Sequence, residues 1–357
     1  MANKRDISLA TFNLYNLQLP QKHVYISKVK KEDYDAKIAF SSRILKESMP
    51  DIVGFQELWS RECLEELFAS ARLKSAYRRY YIGSSWGGIA VAAAVRRPWK
   101  VIDHKVHKSF PDGFKLLKRQ RSKQDDPDRL DDEIEVSADR FTRSILQLTV
   151  AHESANIGPV EVFCVHLKAK LPTALDREDK NDPDLRPHAD ALGAAISTIK
   201  RTAEAAALRA LLNNVMRENN RPVVVLGDFN DGLLSNTLAI ISAQPPYKLF
   251  QARRQSRSKK NIDMRDRGLY SASMLQQYHS LKDVYYTHNY QGVVETLDHV
   301  LVSEQFYDHS PERLWSFKSM RVWNDHVDEH DPREGHIDKT VSDHGVVKAE
   351  FVYDKAK

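Results

Sequence analysis

The run Val223-Val224-Val225-Leu226-Gly227-Asp228-Phe229-Asn230 constrains this chain more than any other stretch. Four consecutive apolar residues read as a strand buried on both faces, and such a strand needs a packed layer on each side of it. It follows a helical pattern over about 190–219, in which Leu192, Ile196, Ile199, Ala203, Ala207, Leu211 and Val215 recur at three- and four-residue steps. Pro222 marks the turn between helix and strand. At its far end the strand presents a glycine, then a carboxylate and an amide two positions apart. In extended backbone residues i and i+2 share a face, so Asp228 and Asn230 are expected to reach one substrate atom together. A carboxylate holds a cation or orients a water, and an amide donates to a phosphate oxygen or accepts from the water.

Other strand patterns end the same way. Segment 7–13 ends in Asn13, 51–57 in Glu57 and 160–166 in His166, while 296–302 carries Asp298 near its start. Ser342-Asp343-His344 leads directly into a last strand at 346–352, and further strands are expected at 87–91 and 143–151. A helix with Ile38, Ile44, Leu45 and Met49 on its apolar face stops at Pro50, and Ser60 is placed to cap the helix that follows. Short strands alternating with a few long helices predict an α/β sandwich with its site along one sheet edge. Glu57, Asn13 and Asp343 are hard oxygen ligands suited to magnesium or manganese. Asp298 and His344 can pair so that the carboxylate orients the imidazole and stabilises its charged form. Such a set suits hydrolysis at phosphorus.

The chain has 357 residues, enough for a large core. One domain over 1–357 is expected, with long loop insertions near 111–136, 170–190, 251–280 and 321–340. The first of these carries a basic run and then an acidic one, the pattern of a solvated excursion. The third concentrates Arg253, Arg254, Arg257, Lys259, Lys260, Arg265 and Arg267. A formal charge of +5 and a sequence pI near 8.9 are compatible with a polyanionic partner without requiring one. Cys63 and Cys164 fall in a helical pattern and an apolar strand, so buried thiols and a reducing, cytoplasmic setting are expected. No apolar signal core opens the chain, and the longest nearly apolar run, 89–95, is too short to span a bilayer. His326, His330 and His336 lie among carboxylates with no cysteine near them, so a zinc site is not expected there.

Six pieces, in order and spanning almost the whole chain, resemble the endonuclease/exonuclease/phosphatase superfamily. They are Thr11-Phe12-Asn13, Gly54-Phe55-Gln56-Glu57, Val165-His166-Leu167, Gly227-Asp228-Phe229-Asn230, Leu297-Asp298-His299-Val300 and Ser342-Asp343-His344. The resemblance implies a four-layer α/β/β/α sandwich. It implies that Glu57 holds a metal with Asn13 beside it, and that Asp343 binds or supports one. Asp228 would orient or deprotonate the attacking water, and Asn230 would hold a phosphate oxygen. Asp298 would orient His344, which would stabilise the transition state or share in water activation. His166 is the residue of the deoxyribonuclease and sphingomyelinase branches, where abasic-site endonucleases place a tyrosine. Arg143 resembles a family arginine that approaches phosphate, and Lys168, Arg253 and Arg254 join it as expected substrate contacts. The activity implied is a Mg2+-dependent phosphodiesterase (Mn2+ serving also), most simply a nuclease cleaving DNA or RNA by in-line attack of a metal- and Asp-activated water. The alternative is a phosphohydrolase of a small molecule or lipid headgroup. A dead binding scaffold is opposed by the intact set Glu57, Asp228, Asn230, Asp298 and His344.

Overall fold

The computed structural model describes residues 5–83, 88–118, 134–153, 156–219, 221–247, 268–280, 282, 285–290, 292–327 and 338–356. Two six-stranded sheets dominate it. The first comprises β1 (Ile7–Leu17), β2 (Ile52–Leu58), β3 (Tyr77–Ile82), β4 (Ala90–Arg96), β11 (Trp315–Trp323) and β12 (Val346–Tyr353), in the order β11-β12-β1-β2-β4-β3. The second comprises β5 (Trp99–Ser109), β6 (Arg140–His152), β7 (Val160–His166), β8 (Val223–Asp228), β9 (Tyr270–Ser271) and β10 (Asp298–Val302), in the order β9-β10-β8-β7-β6-β5. The helices are α1 (Lys31–Ser48), α2 (Arg61–Leu67), α3 (Ala71–Ala76), α4 (Arg177–Asn181), α5 (Ala189–Asn219), α6 (Asn236–Ser242) and α7 (Ala272–His279).

The alternation of side chains along each strand builds the layers. On β8, Val224 and Leu226 enter a core between the sheets, where they meet Leu9 of β1, Ile52 of β2 and Phe351 of β12. Val223 and Val225 point the other way, into a cluster with Ala205, Leu208 and Leu212 of α5 and Ile241 of α6. On the first sheet Phe12, Val53 and Phe55 turn outward and pack with Ile44 of α1 and Leu64 of α2. The result is the expected helix, sheet, sheet, helix sandwich. The sheets meet closely at Gly54, where a Cβ would lie 2.1 Å from Leu226 Cδ1.

Topology places the polar strand ends together. β1 and β2 are parallel, and so are β7 and β8, with His166 opposite Asp228. Asn13, Glu57, His166 and Asp228 therefore all lie towards the C-terminal ends of their strands. β10 runs antiparallel to β8 and β12 antiparallel to β1. Their starts, and so Asp298 and the Asp343-His344 pair, reach the same rim.

Several expectations shift. The strand expected at 87–91 begins at Ala90, and β3 and β5 were not foreseen. The excursion at 111–136 is a two-stranded arm where it is described, Leu116–Lys118 pairing with Ile134–Val136. The 170–190 stretch holds α4 and a 3-10 turn, Arg186–His188. Residues 268–280 fold into β9 and α7, while 248–267 lies outside the described residues. The 321–340 loop starts later, because its first residues finish β11, and 328–337 lies outside the described residues.

The largest correction is on α5. Leu192, Ile196 and Ile199 are 37%, 44% and 51% exposed, while Ser197, Arg201 and Glu204 are buried. This half of the helix covers loop backbone rather than sheet. Ser197 Oγ donates to Leu171 O at 2.7 Å, and Glu204 accepts from Lys168 N at 2.8 Å. Buried backbone groups need partners, so polar side chains take the inward face there. Both cysteines are buried free thiols, as expected. No described helix is long and apolar enough to cross a membrane.

Candidate active site

The rim is built by strand ends that stop being regular. β1 loses register with β2 between Asn13 and Leu17, and Tyr15 and Asn16 take φ values of 45° and 53°. Glu57 at the end of β2 is also left-handed, at φ 59°. Three non-glycine residues in this sparsely populated region, side by side, are a local cost that the surrounding hydrogen bonds hold in place. The bulge turns Asn16 N towards Glu57, where it donates to Oε2 at 3.0 Å, and Trp59 Nε1 holds Asn16 Oδ1 at 2.9 Å. Asn13 is fully buried. Its Oδ1 accepts from Tyr15 N at 3.0 Å, and its Nδ2 donates to Asp228 Oδ2 at 3.1 Å and Glu57 Oε1 at 3.4 Å. Asn13 thus presents its nitrogen, rather than its oxygen, to the carboxylates.

Asp228 sits at the centre. Gly227 before it has φ 151°, and a Cβ there would lie 2.0 Å from Val165 O, so only glycine lets β7 and β8 approach at this point. Asp228 and Asn230 do meet, but not through extended backbone. Asn230 is left-handed at φ 52°, its N donates to Asp228 Oδ1 at 2.8 Å, and its Nδ2 donates to Asp228 Oδ2 at 3.2 Å. The same Nδ2 reaches Leu167 O at 3.1 Å. This is an Asx-type turn closing on its own carboxylate. Burial pushes the Asp228 carboxyl up to about 7; the charge on His344 opposes the rise, while Asp298 and Glu57 add to it.

Two histidines face Asp228 in different charge states. His166 Nε2 is 3.5 Å from Asp228 Oδ2 and 3.9 Å from Glu57 Oε1. Burial, then Arg143 and His344, hold His166 well below the usual imidazole range, so the ring is neutral. For His344 burial again disfavours charge, but Asp298, Asp228 and Asp343 outweigh it and hold the ring well above that range. His344 Nδ1 lies 2.7 Å from Asp298 Oδ2. Its Nε2 stands 4.0 Å from both Asp228 Oδ2 and Asp343 Oδ1, beyond hydrogen-bond reach of either. Ser342 Oγ fixes the segment, accepting from His344 N at 3.0 Å and donating to Asn13 O at 2.7 Å.

Asn13, Glu57, His166, Asp228, Asn230, Asp298, Asp343 and His344 are all at this rim. Arg143 is beside them: its Nη1 donates to Leu167 O at 3.0 Å, and its charge acts on His166. Lys168 turns away, its Nζ 3.3 Å from the carbonyls of Ala169 and Leu171 in its own loop. Arg253 and Arg254 lie outside the described residues, as do His330 and His336.

Sequence reasoning missed the supports. Glu204 accepts from Lys168 N and from Thr142 N at 2.6 Å, bracing the loop just after His166. Arg201 Nε donates to Asp231 Oδ2 at 3.3 Å and its Nη1 to Lys168 O at 3.3 Å. Lys37 of α1 is buried, donates to Tyr15 O at 2.6 Å and lies 4.5 Å from the Tyr15 ring centre. Burial lowers Lys37 to about 8 against the pull of Asp343 and Glu57. The signal was present for each, a charged residue on an inward helical face, since long charged side chains are rarely buried without a partner.

Glu57, His166 and Asp228 offer ligand atoms within 4.8 Å of one another, and so do Asp228, Asp298 and His344, and His288, Asp343 and His344. The buried Oδ1 atoms of Asp298 and Asp343 have no hydrogen-bond partner among the described residues. A carboxylate-rich rim with unpartnered oxygens fits a hard divalent cation. Glu57 and Asp343, both expected as ligands, fall in different groups.

Residues 165–344 match the family model described as the Endonuclease/Exonuclease/phosphatase family. No curated protein matches the chain by sequence. Among solved structures, the endonuclease/exonuclease/phosphatase from Bacteroides vulgatus is similar at 14% identity and a TM-score of 0.53, over 98% of this chain and 99% of that one. The human Nocturnin catalytic domain with bound sulfate is similar at 12% identity and 0.53, over 99% and 97%. The mannosyl-6-phosphatase Bt3783 of Bacteroides thetaiotaomicron is similar at 15% identity and 0.51, over 97% and 100%. At such identities the likeness is one of fold.

Proposed function

From the chain's membership of the endonuclease/exonuclease/phosphatase family, to which it belongs, we propose that it is a metal-dependent phosphodiesterase and that its substrate is nucleic acid. The observation that carries this reading is the pairing of two differently charged groups across one small space. Asp228, pushed up to about 7, is a base near neutral pH, and His344, held charged by Asp298, offers a free Nε2 4.0 Å away.

In this mechanism Asp228 Oδ2 takes the proton of the attacking water. Asn230 and Asn13 hold that carboxylate in place through their amide nitrogens. His344 Nε2 faces the oxygen that gains charge at phosphorus and gives its proton to the leaving group. Asp298 supports the imidazolium from Nδ1. Neutral His166 and Arg143 line the phosphate's other side. Glu57 would hold magnesium, with Asn13 orienting it, and Asp343, in a neighbouring group, would support the ion. When bound, that ion neutralises phosphate charge and polarises the phosphorus–oxygen bond, and manganese serves equally. Support for a polyanionic substrate comes from the formal charge of +5 and the basic residues of 251–267.

The test is incubation with plasmid DNA, an RNA oligonucleotide and p-nitrophenyl phosphate, each with magnesium or with chelator. Cleavage of a polymer that stops in chelator and in His344→Ala supports the reading. Turnover of the monoester with both polymers left intact overturns it.

A further inference from the structure

Beside the rim a cavity of about 300 Å³ opens between α1 and a small hairpin, His23–Val24 paired with Ser27–Lys28. We propose that this cavity is a nucleobase subsite that receives one unstacked base, so that cleavage falls on single-stranded or flipped-out nucleotides. The inference rests on the nuclease reading and adds the state of the strand to it.

The cavity and the rim share a wall. Tyr15 and Asn16 line the cavity, and their backbone N–H groups donate to Asn13 Oδ1 and Glu57 Oε2 at 3.0 Å each. In this proposal a phosphodiester seated against Glu57 extends one of its ester substituents into this space. The remaining wall is apolar and aromatic, from Leu17, Val24, Tyr25, Ile26 and Tyr34. Asp33, Lys37 and Lys339 also line it. With Lys28, which also lines it, the cavity offers a carboxylate and three ammonium groups; an acyl chain gains nothing from these, whereas a base has ring nitrogens and exocyclic groups to meet them and a flat face for the tyrosines.

Tyr25 is placed for that contact. It is 68% exposed at the hairpin tip, so among the described residues one face of the ring is open to a ligand. It is nonetheless held: its ring meets Trp59 edge-on at 5.6 Å and 90°, and Trp59 is anchored to Asn16. A base still paired and stacked in a duplex has its faces and edge already engaged, so it is not available to the tyrosines and charged groups that line this cavity. A base must leave its stack to enter, as enzymes that enclose single bases require.

The experiment compares three substrates under magnesium: a single-stranded oligonucleotide, the same strand with an abasic analogue beside the cleaved bond, and the duplex. The wild type is expected to cleave the single strand about tenfold better in kcat/KM than either of the others, on the scale of one stacked base. Tyr25→Ala is expected to bring the base-bearing strand close to the abasic one, and Tyr25→Phe to keep the difference. The side chain is exposed, so neither substitution disturbs the core. A base-to-abasic ratio unchanged in Tyr25→Ala, or equal cleavage of strand and duplex, overturns the subsite and leaves the nuclease reading standing. Turnover of sphingomyelin vesicles or p-nitrophenyl phosphate with every oligonucleotide intact overturns the nuclease reading and the subsite with it.

Discussion

Replacing Asp298 by Asn removes one charge at nearly constant shape. Asp298 is fully buried, its N is held by Thr287 Oγ1 at 3.2 Å, and its Oδ2 lies 2.7 Å from His344 Nδ1. An amide oxygen in the same place still accepts from the ring, so the imidazole stays oriented and only its charge loses support. Hydrogen bonds to charged groups contribute about 1.5–3 kcal/mol, which corresponds to about 10- to 150-fold in kcat if the imidazolium acts in the transition state. Stability gives an independent readout with a definite sign. His344 is raised above its unfolded value, so its contribution to stability is fully present below the ordinary imidazole pKa and is lost as pH rises through the raised value. The variant should therefore be destabilised most below the ordinary imidazole pKa, and progressively less as pH rises through the raised value. The assay is kcat against pH on a chromogenic phosphodiester at saturating magnesium, with thermal melts across the same range. The alkaline fall in activity should move to lower pH in Asp298→Asn. An unmoved alkaline limb, or a destabilisation that does not shrink with rising pH, would refute the pairing as the source of the charge on His344.

Three further outcomes are expected. Chelator should abolish activity and magnesium or manganese restore it, and Glu57→Gln should raise the metal concentration needed for half-maximal rate; full activity in excess chelator contradicts the metal assignment. Glu204→Gln should cost about 1–3 kcal/mol in urea unfolding, because it disturbs a buried acceptor of the Lys168 and Thr142 N–H groups, and kcat should fall as the loop after His166 loosens. On α5, changing Leu192, Ile196 and Ile199 to Gln should leave stability within about 0.5 kcal/mol per site, whereas Leu208→Ala, at a fully buried site, should cost about 2–5 kcal/mol; equal costs in urea titrations would mean the helix is turned the other way.

The layered architecture was legible in the chain because it follows from local patterns. An unbroken apolar strand such as 223–226 has to be covered on both faces, and the helix of 190–219 announces itself by its spacing. The chemistry at strand ends was legible for the same reason: Asn13, Glu57, His166, Asp228, Asp298 and His344 each interrupt an apolar pattern at its edge. Long-range placement was not legible. α5 shows the limit, since its apolar periodicity runs through Leu192, Ile196 and Ile199, yet those residues face solvent at 37–51%. Only the tertiary structure reveals that the first half of the helix lies over loop carbonyls and amides, which Ser197, Arg201 and Glu204 satisfy.

Asp228 and Asn230 make the same point at the site. The sequence alone determined that a carboxylate and an amide stand two residues apart after a buried strand, and that the amide is near enough to matter. Their geometry depended on Asn230 adopting φ 52° and closing on Asp228, which no pattern of apolar residues encodes. Charge states were likewise decided only by the fold. His166 and His344 are the same residue type at two strand ends, but burial, helped by Arg143, leaves one neutral, while the other, equally buried, lies 2.7 Å from Asp298 and is charged. Residue identity fixes which groups a chain can bring to a site. Burial and the balance of surrounding charges, set by contacts between positions as distant in sequence as Asn13 and Asp228, fix what those groups can do there.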